Sequence, residues 1–179
     1  MGRYGGREVN FSSDADVIII YRPTEEADDG QANLFARKVQ EDLRAILQGP
    51  TTFEPKIELD MDLRPEGKNG PLVRSYASCE EYYRSWASTW EHQALLRARH
   101  AAGDVALAED FLVNIADPLR YPKTDLTETQ IAEIRKLKAR MEAERLPRGV
   151  RRERHLKLGK GGLSDVEWTI PVSYTHLTL

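Results

Sequence analysis

Three acidic positions carry the chemistry this chain offers. Asp14 and Asp16 stand two residues apart in Ser13-Asp14-Ala15-Asp16, and on an extended segment such a pair projects from one face. A third acid on a neighbouring strand would complete an oxygen-rich pocket, and Asp60 and Asp62 both alternate with apolar residues in a strand-like run. Hard divalent cations such as Mg²⁺ take that kind of carboxylate set, leaving other positions to phosphate oxygens and water. Two such ions can clamp the attacking and leaving oxygens of an in-line displacement. The nearby pair Gly5-Gly6 lets backbone N–H groups approach phosphate without a side-chain clash. Taken singly, Asp-x-Asp is a common polar strand edge, Gly-Gly a common turn, and Asp60/Asp62 a common solvated face. Their conjunction points to metal-assisted nucleotidyl transfer.

The elements that must position these residues follow from periodicity. Val17 to Tyr21 is a short β-branched run bounded by Asp16 and Pro23, which predicts a buried strand. From Gln31 to Leu47 the residues Phe35, Val39, Leu43, Ile46 and Leu47 recur at helical spacing and predict an inward stripe, closed by Gly49-Pro50. Lys56 to Leu63 places Ile57, Leu59, Met61 and Leu63 on one face and Glu58, Asp60 and Asp62 on the other, a half-buried strand. A turn-rich loop, Pro65 to Pro71, follows.

Beyond it the pattern is helical. Glu80 to Arg99 stacks Tyr82, Trp86, Trp90 and Ala94 at i, i+4 steps, so both tryptophans read as packing residues rather than base-stacking ones. A second helix covers about 106–114. A third begins at Thr127 and Gln130 in capping-box spacing and turns Ile131, Ile134, Leu137 and Met141 inward as far as Pro147. His92, His100 and His155 lack metal-ligand spacing, and Arg151-Arg152-Glu153-Arg154 reads as a solvated charge run.

Composition narrows the partners. Lys+Arg number 26 against 29 Asp+Glu, a net charge of -3, without the basic excess of nucleic-acid or membrane-surface binders. One cysteine, Cys79, allows no internal disulfide and fits a reducing compartment. No leader and no membrane-length apolar run is visible, so the sequence predicts a soluble, cytoplasmic protein. Its ends predict a piece of something longer. Met1 runs straight into glycine-rich sequence, and Pro171 should stop the helix that begins near Asp165, leaving 169–179 as a non-native tail.

Five blocks, in order and spacing, resemble the glutamine synthetase adenylyltransferase family. They are Gly2 to Glu8, Ser13-Asp14-Ala15-Asp16, Leu63-Arg64-Pro65-Glu66-Gly67, Trp90 to Arg99, and Lys157 to Trp168. The stretches Leu119-Arg120-Tyr121-Pro122, Ile134 to Arg140 and Glu144 to Gly149 are more similar to the C-terminal, AMP-adding half of actinobacterial-type members than to the AMP-removing half.

The resemblance implies an α+β fold: a DNA polymerase β-like nucleotidyltransferase core with a mixed sheet and helices over 1–77, then an α-helical subdomain over 78–168. It implies Asp14 and Asp16 as the metal-binding pair and Asp60 as the third carboxylate, three positions before Leu63-Arg64-Pro65, with Asp62 its close competitor. It also implies ATP as substrate with Mg²⁺ or Mn²⁺, glutamine synthetase as acceptor, and regulation by a PII-type signalling protein. Gly5, Gly6, Ser13, Arg64 and Lys157 are the expected nucleotide contacts. For Arg64 an ion pair with a loop acid, and for Lys157 and Gly159 to Gly162 a helix-entry turn, stand as equal readings. Two alternatives use the same residues: AMP removal by phosphorolysis, and nucleotide binding without turnover.

Overall fold

The computed structural model describes residues 1–10, 13–49, 53, 56–146, 149–151 and 154–174. Pro50 and Pro147, read as helix stops, together with Arg152-Glu153 of the charge run and 175–179 of the tail, lie outside the described residues. The chain forms two compact units, Met1–Asp117 and Pro118–Leu179. Its class is α+β, helix-rich with two small strand pairs among the described residues.

In the first unit, β1 (Ala15–Asp16) pairs with β3 (Leu59–Asp60), and β2 (Ile19–Tyr21) with β4 (Val73–Ser75). Both pairs are parallel, where a mixed sheet was expected. The run expected as a buried strand, Val17 to Tyr21, is half-exposed throughout, and only Ile19–Tyr21 of it is strand. The strand expected over 56–63 shrinks to Leu59–Asp60. The cause is local: the Asp62 N–H donates to Asp60 Oδ1 at 2.7 Å and the Arg64 N–H to the Met61 carbonyl at 3.1 Å. A side-chain oxygen that captures the backbone two residues on competes with the ladder and turns the chain out of it.

Helix α1 (Gly2–Gly5) is one turn, where the glycines predicted a loop. Helix α2 (Asp29–Leu47) is capped by Asp28, whose side chain accepts from the Gln31 N–H at 2.8 Å. It packs on β2 and β4 and buries Ala36 and Gln40, so the expected inward stripe is corrected. Phe35 and Ile46 are each 73% exposed, and Val39 and Leu43 are exposed as well. Two three-residue strands offer too narrow a surface to cover both faces of a nineteen-residue helix.

The single helix expected over 80–99 is two, α3 (Tyr76–Ser85) and α4 (Thr89–Ala94). Ser88 and Glu91 form a capping box that starts a new helix, while the Trp86 and Ala87 N–H groups both close on the Tyr82 carbonyl. Trp86 is left 75% exposed, so it does not pack as the i, i+4 stack required. Helix α5 (Val105–Phe111) continues through a π-helical turn, Leu112–Ala116, into the short α6 (Asp117–Arg120). The first unit's core includes Ala15, Ala36, Met61, Val73, Cys79, Tyr83, Leu95, Phe111, Ile115 and Ala116.

In the second unit, α7 (Glu128–Arg145) starts at the predicted capping box of Thr127 and Gln130 and buries Ile134. Helix α8 (Leu163–Tyr174) runs through Pro171, contrary to the expected stop. Its entry is already nucleated: Leu163 N–H donates to the Leu156 carbonyl and Ser164 N–H to that of Lys157, both at 2.9 Å. A proline then removes one later hydrogen bond from an established helix. Lys138 ties α7 to α8 by bridging Glu142 and Asp165.

Candidate active site

Asp16 and Asp60 occupy directly paired positions of the parallel strands β1 and β3. The bonds that lock this register run from Ala15 N–H to the Glu58 carbonyl (2.8 Å) and from Val17 N–H to the Asp60 carbonyl (2.9 Å). Neighbouring strands lie about 4.8 Å apart, so registered side chains rise side by side from one face. Asp14, two residues before Asp16, is exposed. Ala15 between them is 4% exposed and anchors the strand in the core.

Asp62 does not share this position. It lies in the turn, half-exposed, 3.1 Å from Lys68 Nζ and 3.8 Å from Arg64 Nη1. Of the two competitors, Asp60 is the one in register with Asp16.

Among the described residues no group of three or more His, Cys, Asp or Glu is gathered closely enough to hold a metal ion by itself. A registered carboxylate pair nevertheless fits a hard cation of the Mg²⁺ type. Such ions are usually held by one or two carboxylates, with substrate phosphates and water supplying the remaining oxygens.

The glycines pack rather than flex. A Cβ on Gly2 would fall 1.9 Å from Asp16 Oδ2, and one on Gly5 would fall 1.9 Å from the Arg97 carbonyl oxygen. The N–H groups of Gly5 and Gly6 are used inside the turn, donating to the Met1 and Gly2 carbonyls. What the glycines provide is close approach, of α1 to Asp16 on one side and to the 95–99 segment on the other. Arg99 fastens the same turn, donating to the carbonyls of Gly5 (3.0 Å) and Tyr4 (2.9 Å) while lying 4.9 Å from the Tyr4 ring centre. Ser13 closes a small turn on Asn10, with a hydroxyl-to-Oδ1 bond of 2.9 Å.

Arg64, for which a phosphate contact and an ion pair with a loop acid stood as equal readings, builds the loop. Only 8% exposed, it donates through Nε to the Gly70 carbonyl (2.9 Å), through Nη1 to Met61 (2.8 Å) and through Nη2 to Lys68 (3.0 Å). A planar guanidinium can satisfy three carbonyls at once, which a loop turning back on itself requires. The loop is further pinned by Arg74, paired with Glu66 at 2.6 Å, and Trp90 packs near Gly67.

Glu91 is the position sequence reasoning passed over. It is 2% exposed, and its carboxylate accepts from Tyr82 OH, Ser88 N–H and Glu66 N–H at 2.8, 2.8 and 3.1 Å. Burial first, and then the Glu91 carboxylate, push the Tyr82 phenol up to about 12. The signal was present in Ser88-x-x-Glu91, a helix-start pattern hidden by reading one continuous helix.

Lys157, in the second unit, is exposed, and its carbonyl accepts from both the amide and the hydroxyl of Ser164. With Gly161 N–H donating to Asp165 Oδ2 at 2.6 Å, the Gly159–Gly162 stretch is a helix-entry turn.

Fold and site together define an α+β protein whose paired strands align two carboxylates beside a glycine turn. The glutamate-ammonia ligase adenylyltransferase family model matches residues 1–114. The chain is 85% identical over 170 residues to a bifunctional glutamine synthetase adenylyltransferase/adenylyl-removing enzyme of Bifidobacterium longum, covering 95% of this chain and 16% of the relative. Similarly named enzymes of Streptomyces avermitilis and Mycobacterium avium are 52% and 49% identical, each over 95% of this chain and 17% of the relative. The chain belongs to the glutamate-ammonia ligase adenylyltransferase family, and it spans about one sixth of the length of these relatives. No described helix is long and apolar enough to cross a membrane.

Proposed function

We propose that this chain forms part of the catalytic centre of an adenylyltransferase that moves AMP from ATP to a tyrosine of glutamine synthetase, releasing pyrophosphate. The observation that carries this reading is the register of Asp16 with Asp60, in a chain whose relatives are named for that transfer.

Asp14 and Asp16 would hold Mg²⁺ or Mn²⁺, and Asp60 faces the nucleophile. A bound cation supplies charge neutralisation at the triphosphate and lowers the cost of ionising the attacking hydroxyl. The triphosphate runs past Ser13 and the Gly5–Gly6 turn, while Asp14 and Asp16 fix its orientation. Only about one tyrosine in a thousand is ionised near pH 7, so the hydroxyl needs a proton acceptor. Asp60 takes that proton as the tyrosine oxygen bonds to the α-phosphorus and the bond to pyrophosphate breaks. In this reading 1–77 is a polymerase β-like core, 78–168 a helical subdomain, and a PII-type protein regulates the whole enzyme in the cytoplasm.

The relatives' names carry a second activity, adenylyl removal, which uses the same carboxylates in the opposite direction. Incubating the chain with radiolabelled ATP, Mg²⁺ and unmodified glutamine synthetase tests the first reading. Label should appear on glutamine synthetase and vanish with Asp14→Asn. Loss of AMP from pre-adenylylated glutamine synthetase in the presence of phosphate, with no labelling of the unmodified form, would assign removal instead.

A further inference from the structure

Each of the two registered carboxylates stands beside a segment that an arginine gathers up. On the Asp60 side, Arg64 collects three loop carbonyls, and the same turn returns the Asp62 N–H to Asp60 Oδ1 at 2.7 Å. On the Asp16 side the arginine is Arg99. It donates through Nε to the Gly5 carbonyl at 3.0 Å, through Nη2 to that of Tyr4 at 2.9 Å and through Nη1 to that of His100 at 3.0 Å. Tyr4 and Gly5 end the four-residue α1 and lie 95 and 94 positions from Arg99 in sequence.

A single helical turn has little stability of its own, because nucleation fixes several residues for one hydrogen bond. Helix α1 therefore keeps its place through what grips it from outside. Arg99 grips from a firm footing: Leu95 on the same segment is 0% exposed, and the Ala98 N–H donates to its carbonyl at 2.7 Å. The last carbonyls of a helix lack intrahelical partners, so a cation there is favoured by hydrogen bonding and by the helix dipole.

The first residue of α1 lies against Asp16. The three atoms nearest to a Cβ placed on Gly2 all belong to the Asp16 side chain: Oδ2 at 1.9 Å, Cγ at 2.7 Å and Cβ at 3.3 Å. Only bare backbone fits there, and it closes one side of the carboxylate. Gly2 thus limits the rotations by which Asp16 can present its oxygens.

We propose that Arg99 is a positioning residue for Asp16. By holding the end of α1 it keeps Gly2 against the carboxylate and fixes the direction of the oxygens that meet a divalent cation. Three of its N–H groups are spent on main chain, so it acts through the turn and not by contact with cation or phosphate. The inference rests on the reading of Asp14 and Asp16 as the cation-holding pair and names what orients the second of them.

Position and charge predict opposite signs here. Arg99 and Asp16 line one cavity, so by Coulomb repulsion alone removing the arginine strengthens the binding of another cation. Loss of orientation weakens it, since ions of the Mg²⁺ and Mn²⁺ type demand strict oxygen geometry.

The 179-residue chain should be titrated with Mn²⁺ alone, the free ion being counted by electron paramagnetic resonance. Arg99→Gln should bind Mn²⁺ about tenfold more weakly than wild type, the lower end of what partners behind a metal ligand contribute. Arg99→Lys should bind nearly as weakly, because an ammonium keeps the charge but not the fork that spans both carbonyls of the turn. Gly2→Ala pushes the turn off the carboxylate with Arg99 intact; it should reproduce the loss, and it serves if the Arg99 variants do not fold. Arg99→Gln added to Asp16→Asn should cost nothing beyond Asp16→Asn alone. Equal or tighter binding in folded Arg99→Gln overturns the inference, as does full affinity in Arg99→Lys or Gly2→Ala, or a further loss in the double variant. With Asp16→Asn still weakening Mn²⁺ binding, those results leave the cation reading standing. A wild type that binds no Mn²⁺, or binds it as well in Asp16→Asn, overturns the cation reading and the inference together.

Discussion

Asp16 and Asp60 stand opposite each other across β1 and β3, held there by two backbone hydrogen bonds, while Asp62, two residues further on, has left the strand. The division of labour between Asp60 and Asp62 follows. Asp60→Asn keeps an oxygen to accept the Asp62 N–H and should fold normally, yet lower AMP transfer about 10²–10³-fold, the range for losing one preorganised charge-stabilising group. Asp62→Asn disturbs only exposed contacts to Lys68 and Arg64 and should change the rate less than about threefold. Initial rates on glutamine synthetase would distinguish them, and equal losses would remove the preference for Asp60.

Arg64 carries a stability prediction. Arg64→Ala strands three loop carbonyls and should cost about 2–4 kcal/mol. Arg64→Lys should recover little of this, because an ammonium on a single stem cannot reach three acceptors in one plane. Urea melts would check both, and a lysine variant as stable as wild type would contradict the three-way role.

Glu91 is tested by Glu91→Gln, which leaves one acceptor where three donors converge and puts an NH₂ group against them. A loss of about 1–3 kcal/mol is expected, together with a Tyr82 phenol that ionises below its present value of about 12. Burial, the larger cause, remains, so the phenol should still titrate above the free value of about 10. Chemical melts and ultraviolet difference titration against Tyr82→Phe would read the two effects.

His92 predicts a pH dependence. Burial lowers its pKa below 6.5, only partly opposed by Glu91, and its Nε2 is a buried atom with no hydrogen-bond partner. A group harder to protonate when folded makes the unfolded chain bind more protons once the pH drops below about 6.5. Stability should therefore fall from pH 7 toward pH 5, and less so in His92→Gln. Thermal midpoints at several pH values would show parallel curves if His92 had no part in this.

Much of the site was legible because chemistry leaves local marks. As candidates, Asp14, Asp16 and the pair Asp60 and Asp62 stand out by residue type and spacing, and the Thr127–Gln130 capping box and the Gly159–Gly162 helix-entry turn are set by neighbours in sequence. Periodicity also placed α2 and α7, since a repeating face is a property of the segment itself.

Tertiary structure decided the rest. Which face of α2 is covered depends on how much strand surface folds against it, and that surface is only three residues deep. Whether 80–99 is one helix or two depends on Glu91 finding partners on three different segments. Arg64, open in sequence between a phosphate contact and an ion pair with a loop acid, becomes a loop centre once carbonyls from Met61, Lys68 and Gly70 converge on it. That Asp60 rather than Asp62 stands in register with Asp16 is likewise a relation between distant segments. The sequence by itself determined which groups are present and their local conformation. Partners brought from far along the chain determined which of those groups meet, because long-range contacts depend on packing that no local pattern encodes.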